Sequence, residues 1–159
     1  VGVNQPAPRR GLLYATFAVA VLSLGVAVFA LLRPTGEADY TDAQRSDAKA
    51  ATCAAFDTVR TGVATNTNVT APGGPDDIAG ALAAAANARV ALYDGGQYLL
   101  ARLDPATPAD LAAEIRTFGN QLMDIGAAAT AGVPNTDPAQ GARLEAAEAA
   151  STAISGLCE

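Results

Sequence analysis

Between Arg10 and Arg33 the chain runs for 22 residues, Gly11 to Leu32, with no charge, no amide side chain and no proline. A helix rises about 1.5 Å per residue, so this run reaches across the ~30 Å hydrocarbon core of a bilayer. A spanning helix places everything after it on one side of a membrane, which limits what the rest can do. A cleavable secretory signal fits poorly, because its apolar region covers only ~7–15 residues and ends at small side chains. Here the run leaves through Phe29-Ala30-Leu31-Leu32-Arg33-Pro34. A buried core helix is the plain alternative, yet in a chain this small such a helix usually carries a polar stripe. The expected organisation is a basic, Pro-containing cytoplasmic tail at 1–10, a transmembrane helix at 11–33, a linker at 34–40 and an extracytoplasmic helical domain at 41–159. The tail opens at Val1 rather than Met and is expected to be truncated.

Orientation is set by charges and cysteines together. Arg9 and Arg10 favour an inside amino terminus, but Arg33, Arg45 and Lys49 lie within counting distance on the other flank. Cys53 and Cys158, the only two cysteines, stand near opposite ends of the region carboxyl-terminal to the apolar run. An even count at distant positions suits an oxidising compartment. The expected location is therefore the inner (plasma) membrane, with the amino terminus cytoplasmic, the carboxyl-terminal domain periplasmic and Cys53 bonded to Cys158. Two reduced core thiols are the alternative.

All 16 acidic residues lie beyond Arg33, against seven of the ten basic ones, so that part carries a net charge of −9. An acidic domain does not neutralise phosphates, which disfavours nucleic acid and anionic lipid headgroups as partners. The chain has no histidine, so imidazole acid–base chemistry and the commonest zinc ligand are missing.

Four helices are expected after the linker, and no strand. The first opens at Thr41-Asp42-Ala43-Gln44, a capping box with Thr41 as cap and Gln44 reaching back, and runs through Cys53, Phe56, Val59 and Val63 before dissolving at Thr65-Asn66-Thr67-Asn68. The second starts near Asp76-Asp77, acids suited to a helix amino terminus. It continues through Gly95-Gly96 to about Leu103, with Ala81, Ala85, Ala88, Leu92, Gly95 and Leu99 as a seam of mostly small side chains. The third takes Thr107 as cap and Pro108 in its first turn. Its apolar residues Leu111, Ile115, Phe118, Leu122, Ile125 and Ala129 step alternately by four and three, the spacing of a helix packed against near-antiparallel neighbours. The fourth begins at Asp137-Pro138-Ala139-Gln140, with Leu144, Ala147, Ser151, Ile154 and Cys158 along one stripe. Helices of roughly 20–28 residues joined by short loops imply an up-and-down four-helix bundle. The fold class expected is all-α: one amino-terminal transmembrane helix, then a small bundle tied by a disulfide.

Catalytic chemistry finds little support. Ser23, Ser46, Ser151 and Ser155 lack an imidazole base and a G-x-S-x-G elbow. Asp76-Asp77 and Glu145/Glu148 have the elements of a hard-cation site, but a helix start and a solvated face explain them more simply. Gly73-Gly74 and Gly95-Gly96 lack the lysine or the spacing of a phosphate loop. Tyr93 and Tyr98 flank Gly95-Gly96 as pocket candidates or ordinary rim residues. No catalytic residue, metal ligand or cofactor is assigned, and the chain is not expected to be an enzyme.

The apolar run itself carries a pattern. Gly11, Ala18 and Gly25 recur every seven residues, with Ala15, Leu22 and Phe29 offset by four. Small residues at regular levels let transmembrane helices approach closely, although chance recurrence in an alanine-rich chain is a serious alternative. The functional reading makes Gly11, Ala15, Ala18, Leu22, Gly25 and Phe29 the docking face for a polytopic membrane partner.

Several stretches bear on family. They are Thr41-Asp42-Ala43-Gln44 leading to Cys53-Ala54-Ala55-Phe56-Asp57-Thr58-Val59-Arg60, Ala86-Asn87-Ala88-Arg89, Tyr98-Leu99-Leu100, Leu103-Asp104-Pro105-Ala106-Thr107-Pro108, Gly132-Val133-Pro134-Asn135 with Asp137-Pro138-Ala139-Gln140, and the terminal Leu157-Cys158. With the Pro-containing basic amino terminus and single span, they resemble a family of mycobacterial alanine- and proline-rich single-pass membrane proteins. The resemblance covers nearly all of the exported part and supplies no catalytic residues. It implies a mycolate-type envelope protein facing the periplasm. The function it suggests is an accessory or stabilising subunit of a multiprotein inner-membrane complex, with an Mce-type lipid importer and its permease as the partner. The alternative is a membrane-tethered helical domain that binds a small apolar ligand.

Overall fold

The computed structural model describes Tyr14, Phe17, residues 19–25 and residues 39–159. The chain divides into two compact units, Val1–Asp39 and Tyr40–Glu159. In the first, Tyr14, Phe17 and residues 19–25 are helical, and Val19, Val21, Leu22 and Leu24 expose more than half of their surface. Ser23 Oγ donates to the Val19 carbonyl at 2.8 Å, so its hydroxyl is satisfied within the helix. Among the described residues, no helix is long and apolar enough to cross a membrane. Most of the expected span Gly11–Leu32, the tail at 1–10 and residues 34–38 of the linker lie outside the described residues.

The second unit is built from four helices: α1 (Asp42–Thr67), α2 (Ile78–Arg102), α3 (Ala109–Thr130) and α4 (Pro138–Cys158). There is no strand among the described residues. Consecutive helices pack side by side, while α1 and α4 touch far less. The short connections make neighbours antiparallel.

Three of the four helix starts are held as their sequences imply. Thr41 Oγ1 accepts from the Gln44 amide at 3.2 Å, and Gln44 Oε1 accepts from the Thr41 amide at 2.9 Å. Asp77 accepts from the Gly80 amide at 2.8 Å and the Gly73 amide at 3.0 Å. Asp137 Oδ1 accepts from Ala139 at 2.9 Å and Gln140 at 3.1 Å, with Pro138 leading the helix. The start of α3 differs from expectation. Pro108 is the cap, without a side-chain bond; Thr107 is buried, and its hydroxyl lies 3.1 Å from that of Thr52 on α1. Its oxygen is engaged across the bundle rather than along its own helix.

Helix α1 also continues through Thr67 instead of dissolving at Thr65. Asn66 Nδ2, Thr67 Oγ1 and Asn68 Nδ2 donate to the carbonyls of Gly62, Val63 and Ala64, each at 2.8 Å. These bonds to the fourth residue back occupy carbonyls in the last turns. At the end of α3, Gly132 takes φ +86°. Val133 N–H bonds to Ala128 O at 3.0 Å and Gly132 N–H to Ala129 O at 3.2 Å, a Schellman closure that glycine accommodates without strain.

The core is centred on α3. Leu111, Ile115, Phe118, Leu122 and Ile125 are all buried and meet Phe56 and Val59 of α1, Leu92 and Leu99 of α2, and Ala147, Ala150 and Ile154 of α4. Phe56 stands edge-on to Phe118 with centroids 5.5 Å apart. Two seam assignments need correction. Leu144 is 38% exposed rather than core, because α1 and α4 diverge at its level. On α2, Ala81 is exposed, and Gly96 is buried more deeply than Gly95. Cys53 and Cys158 form a disulfide, with Cα atoms 5.8 Å apart. Among the described residues, every core residue and both sulfurs lie within Tyr40–Glu159, so this unit holds what an independently folding domain requires.

Candidate functional site

The disulfide pins α1 to α4 at one level only. Seven residues from each cysteine, after Cys53 at Arg60 and before Cys158 at Ser151, begins a cavity of about 670 Å³. It runs between the carboxyl-terminal half of α1 and the amino-terminal half of α4, and Gly132, Val133, Pro134 and Asn135 contribute to its lining. Leu92, Phe118, Leu122 and Ile125 form a buried apolar floor. The volume lies within the ~300–1,000 Å³ of small-molecule sites.

The cause of this space is side-chain size. Ala64 of α1, Ala85 and Ala88 of α2, Ala129 of α3 and Ala147 of α4 all face the cleft. At the opposite end Phe56, Leu99, Leu111 and Ile154 fill the corresponding volume. Four helices held at ordinary spacing by large residues at one end leave room where each contributes a methyl group.

Three charged residues line the cleft: Arg60, Arg89 and Glu148. Arg89 is half-buried, and its Nε donates to the Ala129 carbonyl at 3.2 Å. No group among the described residues accepts a hydrogen bond from its two Nη groups. Arg60 Nη2 lies 3.5 Å from Asp57 Oδ1, and both side chains are largely exposed, so this pair contributes little. The Arg60 guanidinium also stands 5.8 Å from the Phe56 ring centroid. Nearby, the fully buried Gln140 ties α4 to α3 by donating from Nε2 to the Ile125 carbonyl at 3.1 Å.

Of the other sequence candidates, Glu148 and Ser151 line the cleft and the rest lie elsewhere. Asp77 is the cap of α2, and the amides of Gly80 and then Gly73 hold its carboxyl below the ordinary aspartate range. Glu145 and Glu148 are exposed on α4. Among the described residues, no cluster of three or more carboxylates or cysteines is placed to hold a metal ion. Tyr93 and Tyr98 are exposed and line no part of the cleft; Arg102 stacks over the Tyr98 ring at 4.7 Å. Leu82, Val90 and Tyr93 instead share the outer face of α2. Ser155 Oγ donates to the Ser151 carbonyl at 3.0 Å. Of the docking set, Leu22 and Gly25 are described: Leu22 is exposed, and nothing approaches Gly25 within 4 Å of a built Cβ. Gly11, Ala15, Ala18 and Phe29 lie outside the described residues.

A helical domain that binds a small apolar ligand was the alternative reading of the sequence, but the position and lining of the cleft were not foreseen. Its one signal there was the alanine-rich first half of α2, where Ala85 and Ala88 occupy positions that Leu92 and Leu99 fill further along. Comparison with known proteins adds no further assignment: no family model matches this chain, nor does any curated protein or solved structure.

Proposed function

We propose that this chain is a non-catalytic, membrane-tethered module whose helical domain holds a small apolar ligand in the cleft between α1 and α4. The observation that carries the proposal is the cavity of about 670 Å³ floored by Leu92, Phe118, Leu122 and Ile125. The Gly11–Leu32 run supports the tether by its length and lack of charge. Burial of one methylene is worth about 0.8 kcal/mol, close to a fourfold gain in affinity for each carbon added until the cleft is full. The test is the thermal midpoint of the Tyr40–Glu159 domain against straight-chain alcohols of increasing length. The midpoint should rise with chain length and then level off. A flat response across the series counts against the proposal.

A second reading is favoured by the apolar side chains that Val19, Val21, Leu22 and Leu24 expose. In it the chain is an accessory subunit docked through its span on a polytopic inner-membrane complex, with an Mce-type lipid importer as the candidate. Replacing Gly11, Ala18 and Gly25 together by Leu should abolish co-purification of that complex from mild detergent. Recovery at the wild-type level would sink the docking role.

A further inference from the structure

We infer that the cleft takes an anionic amphiphile, a fatty carboxylate, with its tail over the apolar floor and its head at Arg89. This rests on the cleft being an apolar-ligand site, and it adds the chemistry of the head. The Tyr40–Glu159 domain carries 14 acidic and seven basic residues, −7 overall, yet two of those seven, Arg60 and Arg89, line this one cleft against a single acid, Glu148. With Asp57 beside Arg60 the charges at the cleft balance rather than summing to the negative value of the surrounding domain, so an anion meets less repulsion here than elsewhere on the domain.

Arg89 gives that charge a direction. Its Nε–H is fixed on the Ala129 carbonyl at 3.2 Å, so the guanidinium is held at the cleft wall rather than free to swing. Both Nη groups retain their donors. A planar, half-buried guanidinium with open Nη donors suits a carboxylate, which offers two oxygens for charge-assisted bonds. Leu92, Leu122 and Ile125 provide the apolar surface of the same cleft. Arg60 is exposed and partnered by Asp57, so its part in holding the head is secondary.

Laurate, lauryl alcohol and dodecyltrimethylammonium share one tail and differ in head charge. Titrated below their micelle-forming concentrations into the Tyr40–Glu159 domain, laurate should bind at least tenfold more tightly than the alcohol, and the cation most weakly. Arg89→Gln should weaken laurate about tenfold while leaving the alcohol within twofold; Arg60→Gln should have the smaller effect. If the alcohol matches laurate, or the cation exceeds it, the head-group inference is overturned and the apolar-cleft proposal stands. If none of the three binds, both fall. Should Arg89→Gln not fold, the head-group series on the unsubstituted domain decides.

Discussion

Two adjacent glycines set how closely α2 approaches the helices on either side of it. A Cβ built at Gly95 comes within 2.9 Å of Val59 Cγ1 on α1, and one built at Gly96 runs into the Gly119 carbonyl of α3 and comes within 2.7 Å of Met123 Cγ. The contact at Gly96 is with backbone, which cannot turn aside as a side chain can. Gly96→Ala should therefore destabilise the domain by roughly 1–3 kcal/mol through overpacking. Gly62→Ala on α1 meets nothing within 4 Å and should stabilise by roughly 0.5–1 kcal/mol, the ordinary gain from replacing a helical glycine. Chemical denaturation of both variants checks the pair; equal effects would remove the close crossing of α2 and α3 from this explanation. Gly95-Gly96 interrupt the alanine pattern in the sequence, but the need for them becomes visible only when Val59 and Gly119 are placed opposite.

At the scale of the helix, much of the domain was legible. The Thr41/Gln44 box, the Asp137-Pro138 start and the alternating stripe from Leu111 to Ile125 depend on contacts within a few residues or along one face, and sequence spacing reports these directly. Thr107 and Leu144 were misplaced because their surroundings are set by other helices: Thr52 claims one hydroxyl, and the opening of α1 from α4 exposes the other side chain. The start of α2 makes a pH-dependent prediction. Bonds from the Gly80 and Gly73 amides hold the Asp77 carboxyl below its ordinary value. Its capping contribution is thus complete above the unfolded aspartate value, about 3.9, and is lost as pH falls through the lower folded value. Amide-exchange protection at Gly80 and Gly73 should decline in acid below pH ~4 while α3 core amides stay protected. Asp77→Ala should show the same local loss at neutral pH. Unchanged protection at Gly80 in acid would contradict the capping role.

For the whole domain, stability and the cleft depend on the same covalent tie. α1 and α4 share little packing, and the Cys53–Cys158 bond closes a separation of 105 residues. In the chain-entropy account, a loop of about 100 residues is worth up to ~4.7 kcal/mol, although measured bonds often deliver less. Against a domain stability of ~5–15 kcal/mol this is a large share. Under non-reducing conditions Cys158→Ser should lower the thermal midpoint by about 10 °C or more; an unchanged midpoint would show that α1 and α4 hold together without the bond. The cleft was less legible than the helices because it is an absence of side-chain volume shared among Ala64, Ala85, Ala88, Ala129 and Ala147. Those residues come together only after all four helices have packed.

The most direct check on ligand binding in the cleft is a methyl-resolved NMR titration of the Tyr40–Glu159 domain with lauryl alcohol. The methyl signals of Val63, Leu122, Ile125 and Leu144 should shift and saturate together, while Leu82 and Val90 on the outer face of α2 remain still. Shifts confined to Leu82 and Val90, or no saturable shift at all, would contradict it.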